Sequence, residues 1–591
     1  MFKIYTESKD SVLLLAAKEL VKYGKGAFSV TENAAEGEII LQLEKEVRKL
    51  EDRFSLKSSG NKLYITGSNP RSVLYGIYEY LKSFGFAFLY PGEEGEILPD
   101  NPAFTLEGFD KEETGSRMFR GMAFRPSAKN VDKSLEEGKE LLSFMVKNKY
   151  NIFFMEGFDV DRPGDAYSII NGVRPTQHVE YSISTLPWEE RKVIAEKQAL
   201  LAVEARKWGL LVERGGHGWN YGVPEHYGKN HNMTPEEAKN CLKAKGKINK
   251  QAEVAVSTWF QICIAEEEVR DIYVEHVIDY LLRHRGEIDI AAFWLGDGYD
   301  NKCQCEKCLK QPFSDLYLDI FRKIALKCKE LMPELILECL IYFETLEPPT
   351  KNFLEGLDNV ILNYAVWRQC YFHKLDDHSC RLPDWIPDYR NNRSHDTPND
   401  KRIINIDQHL PYEGWRKIVG NDIPCLVFTY TTYYEGFDRN FLSFDMDLME
   451  KNSFADFDRF HIHGLVNCHC FTFWNKPANL QLYAMGRILW NKNDRDMKQI
   501  RKELFAQLYG EKAERMENFA QEVADTLCRY KPYHKSLEKM PEAAADLKKE
   551  LMVFREKVKE FAPLPCNRER YFEEAFTTFI ALAERCEKKM D

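Results

Sequence analysis

The sequence holds no run of about 18 apolar residues, the length that a membrane-crossing helix needs, so no membrane span is expected. Positive charge is not in excess. The 82 Lys and Arg residues face 93 Asp and Glu, a formal charge of −11, and no basic stripe is present to displace counterions from phosphates. Nucleic acid is therefore not an expected partner. The first strand-like run is not followed by a glycine-rich phosphate fingerprint, and internal repeats and low-complexity segments are absent. An export core is also missing. In MFKIYTESKDSVLLLAAKELVKYG charges intervene from Lys3 onward, and VLLLAA is cut short by Lys18 and Glu19, so the reading is a cytoplasmic protein.

What is plentiful is apolar material. Hydrophobic residues make up 44% and aromatics 13%, enough for a large core and incompatible with a disordered chain. The fifteen cysteines are an odd number, and most stand alone in apolar runs, as Cys263, Cys328, Cys339 and Cys425 do. Reduced core thiols are the expectation rather than disulfides.

A length of 591 residues corresponds to three or four structural units at about 150 residues each, with a barrel counting as one large unit. Residues 1–112 read as a small α/β unit. FKIYT, a helix over 11–23, EIILQLE and KLYITG give strand, helix, strand, strand; Asn69-Pro70 opens a second helix that stops at Gly85, and 91–112 read as a linker. Residues 113–494 alternate apolar runs with amphipathic stretches. The runs GMAFRP, YNIFFME, GLLVERGG, IDIAAFWLGD, LILECLIYFE, VILNYAVW, IPCLVFTYT and GLVNCHCFTFW make eight strands. Near-continuous apolar strands separated by helices imply a parallel sheet covered on both faces, and eight such units predict a (β/α)8 barrel, with an open doubly wound sheet as the alternative. Residues 495–591 are helical throughout and predict a bundle packed on the barrel or on a second copy of the chain as a homo-oligomer.

Chemistry in such a barrel sits on the loops that follow the strands. Strand two ends at Glu156, with Asp159 beyond it. Strand three leads to His217, Trp219, Asn220 and Tyr221, strand four to Asp297 and Asp300, and strand five to Tyr342 and Glu344. Strand six leads to Trp367 and Arg368, strand seven to Tyr433, Tyr434, Glu435 and Asp438, and strand eight to His469, Trp474 and Asn475. Carboxylates mixed with Trp and Tyr suit a carbohydrate, whose C–H faces stack on rings while acids serve its oxygens.

Asp297 is the favoured general acid, because an apolar floor of Phe293 and Leu295 raises a carboxyl's pKa; a turn or N-cap aspartate before Gly298 is the other reading. Asp300 orients a substrate group or belongs to the turn, and Glu344 and Glu435 are candidates for the second carboxylate. His217, flanked by glycines, contacts a substrate hydroxyl or bonds a neighbouring loop. Trp219, Asn220, Tyr342, Trp367, Arg368, Tyr434 and Trp474 complete the expected substrate-binding set. The spacing of Cys303, Cys305 and Cys308 places three thiolates at corners of a zinc tetrahedron, with a fourth ligand from the Cys370, His373, His378 and Cys380 stretch. Structural zinc and free thiols both remain open there, and no cofactor is required for catalysis.

Several of these segments resemble known families. ITGSNPRSVLYGIYEYLKSFGFAFLYPGEEGEILP resembles the small domain that precedes the barrel in family 20 hexosaminidases and in α-glucuronidases. GGHGWNYGVPEHYG, LGDGYDNKCQCEKC, ETLEPP, WRQCYFHKLDDHSC and LYAMGRILWNKNDRD look like the domain of unknown function 4838, a resemblance spanning about residues 60–500. That family includes glycoside hydrolase family 163, whose described activity is β-N-acetylglucosaminidase action on N-glycans. The resemblance implies a (β/α)8 glycosidase and makes Asp297, the cysteine triplet, Arg368 and His373 family positions. This chain departs from the pattern at strand eight, where VNCHCFTFW stands in place of an expected acid. A 2-acetamido oxygen of the substrate can serve as nucleophile, leaving one enzyme carboxylate to orient it. The expectation is an exo-acting hydrolase of an imported oligosaccharide, an N-acetylhexosaminide first. An α-glucuronidase-like uronosidase, with Arg368 or His217 gripping a sugar carboxylate, and a non-catalytic carbohydrate-binding protein are the alternatives.

Overall fold

The computed structural model of the chain describes residues 1–124, 131–156, 188–217, 219, 222–234, 237–238, 241, 263–296, 305–366, 369–380, 405–431, 446–468, 478–530, 541–564, 572–573, 576–577, 580–581 and 583–584.

The N-terminal unit is built on a six-stranded sheet. Its elements run β1 (Phe2–Thr6), α1 (Ser11–Tyr23), β2 (Phe28–Val30), β3 (Ile39–Leu43), β4 (Arg53–Ser59), β5 (Lys62–Gly67) and α2 (Pro70–Lys82). A short ladder of β6 (Ala87–Phe88) with β7 (Glu96–Ile97) and then β8 (Asp110–Thr114) complete it. Across the sheet the order is β2-β1-β3-β5-β4-β8, parallel from β2 to β5 and antiparallel on either side of β4. Both helices start where their caps dictate. Asp10 accepts from the Val12 and Leu13 N–H groups and Asn69 from that of Ser72, while Pro70 occupies the first helical position, where its missing donor costs nothing.

Three of these strands escape a reading by apolar pattern. β2 has three residues, and β4 (RFSLKSS) offers only Phe54 and Leu56 to the core. β8 (DKEET) carries no apolar residue, so its stretch reads as a linker; it instead hydrogen-bonds along β4 as a charged edge, which discourages further strand addition.

From Phe119 the chain winds into a closed barrel. The elements are β9 (Phe119–Ala123), α3 (Val131–Lys147), β10 (Ile152–Glu156), α4 (Trp188–Lys207), β11 (Leu211–Gly216), α5 (Gly222–His231), α6 (Glu267–Arg283) and β12 (Ile290–Phe293). They continue as α7 (Glu306–Leu309), α8 (Phe313–Leu331), β13 (Ile336–Ile341), β14 (Val360–Ala365), α9 (Ile406–Val419), β15 (Cys425–Thr429), α10 (Met446–Met449) and β16 (Gly464–Cys468). All neighbouring strands are parallel and β16 pairs with β9, which excludes the open sheet. The eight staves are the eight apolar runs of the sequence. Alternate residues such as Phe119, Ile152, Phe154, Ala292, Phe428 and Val466 fill the bore, and the intervening ones pack under the helices.

After β16 the chain returns to the N-terminal unit through α11 (Ala478–Trp490). The Ser116 N–H donates to the Trp490 carbonyl at 2.7 Å and the Arg117 N–H to that of Leu489 at 3.1 Å. The Trp490 ring stacks on Phe54 and meets Tyr75 edge-on, and its indole N–H donates to Glu113 at 2.7 Å. Beneath the barrel, at the start of β9 and β10, Asp52 anchors the same junction. Its carboxylate pairs with Arg71 at 2.8 Å and with Arg120, and accepts from Asn69 at 2.8 Å and Asn151 at 3.0 Å. Burial alone raises such a carboxyl, but the two guanidinium charges outweigh it and hold Asp52 at about 2.

α12 (Met497–Tyr509), α13 (Ala513–Arg529) and α14 (Pro541–Lys557) share a core of Leu504, Phe519, Leu547 and Leu551 that also takes in Leu89 of the N-terminal unit and Tyr371 of the barrel. Among the described residues, no helix is long and apolar enough to cross a membrane.

Candidate active site

The C-terminal ends of β11, β12 and β13 converge on one mouth. β11 ends at Gly215 and Gly216, with φ of +114° and +96°. A Cβ at Gly215 would stand 2.4 Å from the Ala292 carbonyl oxygen, so only glycine lets β11 turn this close to β12. The turn carries His217 to the mouth, where Nδ1 lies 2.5 Å from the Leu295 carbonyl oxygen. A carbonyl only accepts, so Nδ1 holds the proton. The imidazole lies 5.0 Å from the ring of Trp294 and 6.0 Å from that of Tyr342, so three consecutive strands contribute an imidazole, an indole and a phenol to one surface. His217 and Tyr342 are half-buried and Trp294 is buried.

Trp219 does not join them. It is 1% exposed, its indole N–H donates to the Ala292 carbonyl at 3.0 Å, and its ring packs among His276, Tyr280 and Phe293. Expected on the substrate, it is instead a wall residue that fastens the end of β11 to α6.

Glu344 sits in a single helical turn, Phe343–Thr345, straight after β13. Thr345 clamps that turn. Its hydroxyl accepts the Tyr342 N–H at 3.1 Å and donates to the Leu340 carbonyl at 2.8 Å, while the Trp415 indole donates to the Thr345 carbonyl at 3.2 Å. Glu344 is 3% exposed and therefore stands inside the wall of the mouth. The other carboxylates expected from the sequence, Asp297, Asp300 and Glu435, lie outside the described residues. So do Asn220, Trp367, Arg368, Tyr434, Trp474 and Cys303, together with Asp159, Tyr221, Tyr433, Asp438, His469 and Asn475. Only the backbone of Glu156 is described.

Below Trp294 the bore holds two acids that a survey of strand ends passes over. Glu213 in β11 and Glu338 in β13 are both fully buried. The Trp294 indole N–H donates to Glu338 Oε1 at 2.7 Å and the Asn363 amide donates to the same oxygen at 2.9 Å. The Glu213 carboxyl meets Glu338 directly. Glu338 Oε2 and both oxygens of Glu213 take no N–H donor from the described residues, so the two groups share a proton. Burial, reinforced by the Glu338 charge, pushes Glu213 well above the usual carboxylate range. Burial also raises Glu338, against the pull of its Glu213, Asn363 and Trp294 donors. Both carboxyls are thus pushed up, Glu213 the further of the two, so Glu213 is the member that holds the shared proton more tightly. Carboxyls in direct contact are closer than the roughly 5 Å or more that separates the reacting pair of a glycosidase, so this dyad supports the mouth from below. Its signal in the sequence is an acid on the bore-facing register of an apolar strand, in LLVERGG and LILECLI.

Two sulfur-rich clusters flank the same face. Cys263, Cys305 and Cys308 bring their sulfurs together, and Cys370, His373 and Cys380 form a second group, each with donor atoms within 4.8 Å of one another. The second group is thus separate rather than a source of the first group's fourth ligand, and Cys263 is not the solitary core thiol its apolar surroundings suggest. Asn405 organises the second loop: its carbonyl oxygen accepts the Cys370 N–H at 2.7 Å and its amide donates to the Cys370, His373 and Lys374 carbonyls. Contact with Cys380, then burial, pushes the Cys370 thiol up, and the same contact lowers Cys380.

The sequence profile described as domain of unknown function (DUF4838) matches residues 217–521. No curated protein matches the sequence. Among solved structures, the chain is similar to a family GH115 4-O-methyl-α-glucuronidase with specificity for decorated arabinogalactans, at TM-score 0.56 and 11% identity over 99% of this chain and 72% of that one. It is also similar to a GH138 enzyme targeting pectin rhamnogalacturonan II, at TM-score 0.53 and 11% identity over 100% and 69%. A third is a Clostridium perfringens GH89 protein in complex with its substrate GlcNAc-α-1,4-galactose, at TM-score 0.51 and 13% identity over 97% of this chain and 61% of that one. At such identities the likeness is one of fold.

Proposed function

The chain belongs to the DUF4838 family, and from that premise we propose that it is a glycoside hydrolase that removes a terminal sugar, an N-acetylhexosamine first, from an oligosaccharide. The observation that carries this reading is the convergence of His217, Trp294 and Tyr342 at the C-terminal mouth of a closed barrel. The half-buried His217 and Tyr342 rings, with Trp294 behind them, offer the C–H faces of a pyranose an aromatic surface at the mouth. Asp297 follows β12 in the chain and is proposed as the general acid, with Glu435 as the second carboxylate and Asp300 as an orienting group. For a 2-acetamido sugar, the substrate's own carbonyl oxygen attacks the anomeric carbon, and one carboxylate only has to orient it.

The test is a panel of aryl glycosides and aryl glycosiduronic acids. The expected result is turnover of an N-acetyl-β-hexosaminide, reduced about 10²- to 10⁴-fold in Asp297→Asn, the range that general acid catalysis supplies. Equal rates in wild type, Asp297→Asn and Glu435→Gln remove the site assignment. Turnover of glucuronides alone selects a uronosidase, and glycan binding without any turnover marks a binding protein.

A further inference from the structure

We infer that Cys263, Cys305 and Cys308 bind a structural zinc ion that ties two neighbouring loops of the barrel's C-terminal face together. The distances carry the argument. Cys263 Sγ lies 3.6 Å from Cys305 Sγ and 3.6 Å from Cys308 Sγ. A tetrahedral zinc with Zn–S bonds of about 2.3 Å separates its sulfurs by roughly 3.8 Å, whereas a disulfide brings them to about 2 Å. The spacing matches the edge of a metal tetrahedron.

The local backbone is that of a metal-binding turn. Cys305 precedes α7 and its carbonyl accepts the Leu309 N–H at 3.0 Å, so Cys305 and Cys308 face the same point one helical turn apart. Cys263 arrives from a different loop, immediately before α6. Arg270 on α6 donates to the Ile264 and Ala265 carbonyls, both at 3.2 Å, and fixes that approach. Lys307 pairs with Glu266 at 3.2 Å across the two segments. Cys263 and Cys308 are buried and Cys305 is half-buried, which suits a permanent ion rather than an exchangeable one. Three soft thiolates favour zinc over the oxygen-seeking divalent ions, and a fourth donor completes the tetrahedron.

The position gives the ion its role. Cys263 lies in the connection that runs from β11 through α5 to α6, and Cys305 in the connection from β12 to α7, so the metal joins the connections that follow two adjacent strands on the face where a barrel does its chemistry. This inference is independent of the proposed hydrolase activity.

Elemental analysis of the full chain, purified in the presence of zinc and then dialysed free of loose metal, tests it. The expected result is bound zinc in the wild type and the loss of one equivalent in both Cys263→Ser and Cys308→Ser. Cys370→Ser, in the neighbouring cluster, keeps that equivalent. Unchanged zinc in the first two variants overturns the inference, as does folded wild type without zinc or with Cys263 in a disulfide. Should the serine variants fail to fold, X-ray absorption on zinc-loaded wild type and Cys370→Ser decides. A shell of three or more sulfurs at about 2.3 Å in Cys370→Ser supports the site, and a nitrogen- and oxygen-dominated shell overturns it.

Discussion

Asp52 and Glu213 are buried to the same degree, one beneath the barrel and one inside it, yet they hold opposite protonation states. Asp52 has two guanidinium groups against it and stays ionised down to a pH of about 2. Glu213 has another carboxyl against it and stays protonated. Burial is common to both, so the neighbouring charge decides. The barrel thus separates its two ends by function: below, a buried ion cluster bolts the N-terminal unit in place; within, a proton-sharing pair steadies the indole that floors the mouth.

The largest break in that comparison is Asp52→Asn. It removes the carboxylate that pairs with both buried Arg71 and buried Arg120 and is expected to cost about 3–5 kcal/mol in urea unfolding, as removal of one partner from a buried ion pair does. Trp294→Phe comes next. It takes one donor from the buried Glu338 carboxyl and is expected to cost roughly 1–3 kcal/mol, the cost of leaving a buried acceptor without its partner. Glu213→Gln is the smallest, at less than about 1 kcal/mol at neutral pH, since an amide replaces a carboxyl that is already neutral and still donates to Glu338.

Titration sharpens the contrast. The Asp52 pKa is depressed in the folded chain, so its contribution is present above its unfolded value near pH 4 and is lost as pH falls through about 2. The Glu213 pKa is raised in the folded chain, so its contribution is present below the unfolded value near pH 4 and is lost as pH rises through the raised folded value. Unfolding curves taken across pH for wild type and Glu213→Gln should therefore diverge on the alkaline side, with wild type losing ground. Parallel curves would mean that the dyad holds no extra proton.

Much of this architecture is legible in the sequence because a barrel stave buried on both faces must be apolar along its whole length, as VILNYAVW and IPCLVFTYT are. β8 is illegible for the converse reason: an edge strand of DKEET is held by backbone bonds to β4 and by side-chain contacts of Lys111 and Glu113 with distant residues, and it has no apolar pattern to mark it. His217 and Tyr342 stand at strand ends and could be read there. The direction of Trp219 could not, because it depends on two glycines with positive φ. Glu213 and Glu338 were hidden in plain view, since their apolar strands drew attention to the ends rather than the middle. Cys263 was equally hidden, because its partners lie more than forty residues along the chain.

The clasp between Trp490 and the N-terminal unit has a consequence for biosynthesis. Phe54, Tyr75 and Glu113 leave the ribosome early, but the side chain they receive is made only after the last stave. The tryptophan follows Glu113 by 377 residues, so at about 5–20 residues per second roughly 20–75 s separate the two. Through that interval the nascent sheet must wait with an unfilled socket. A chaperone that shields apolar surface has its natural window there, and a truncated product ending before β16 would carry both an unclosed ring and an empty socket.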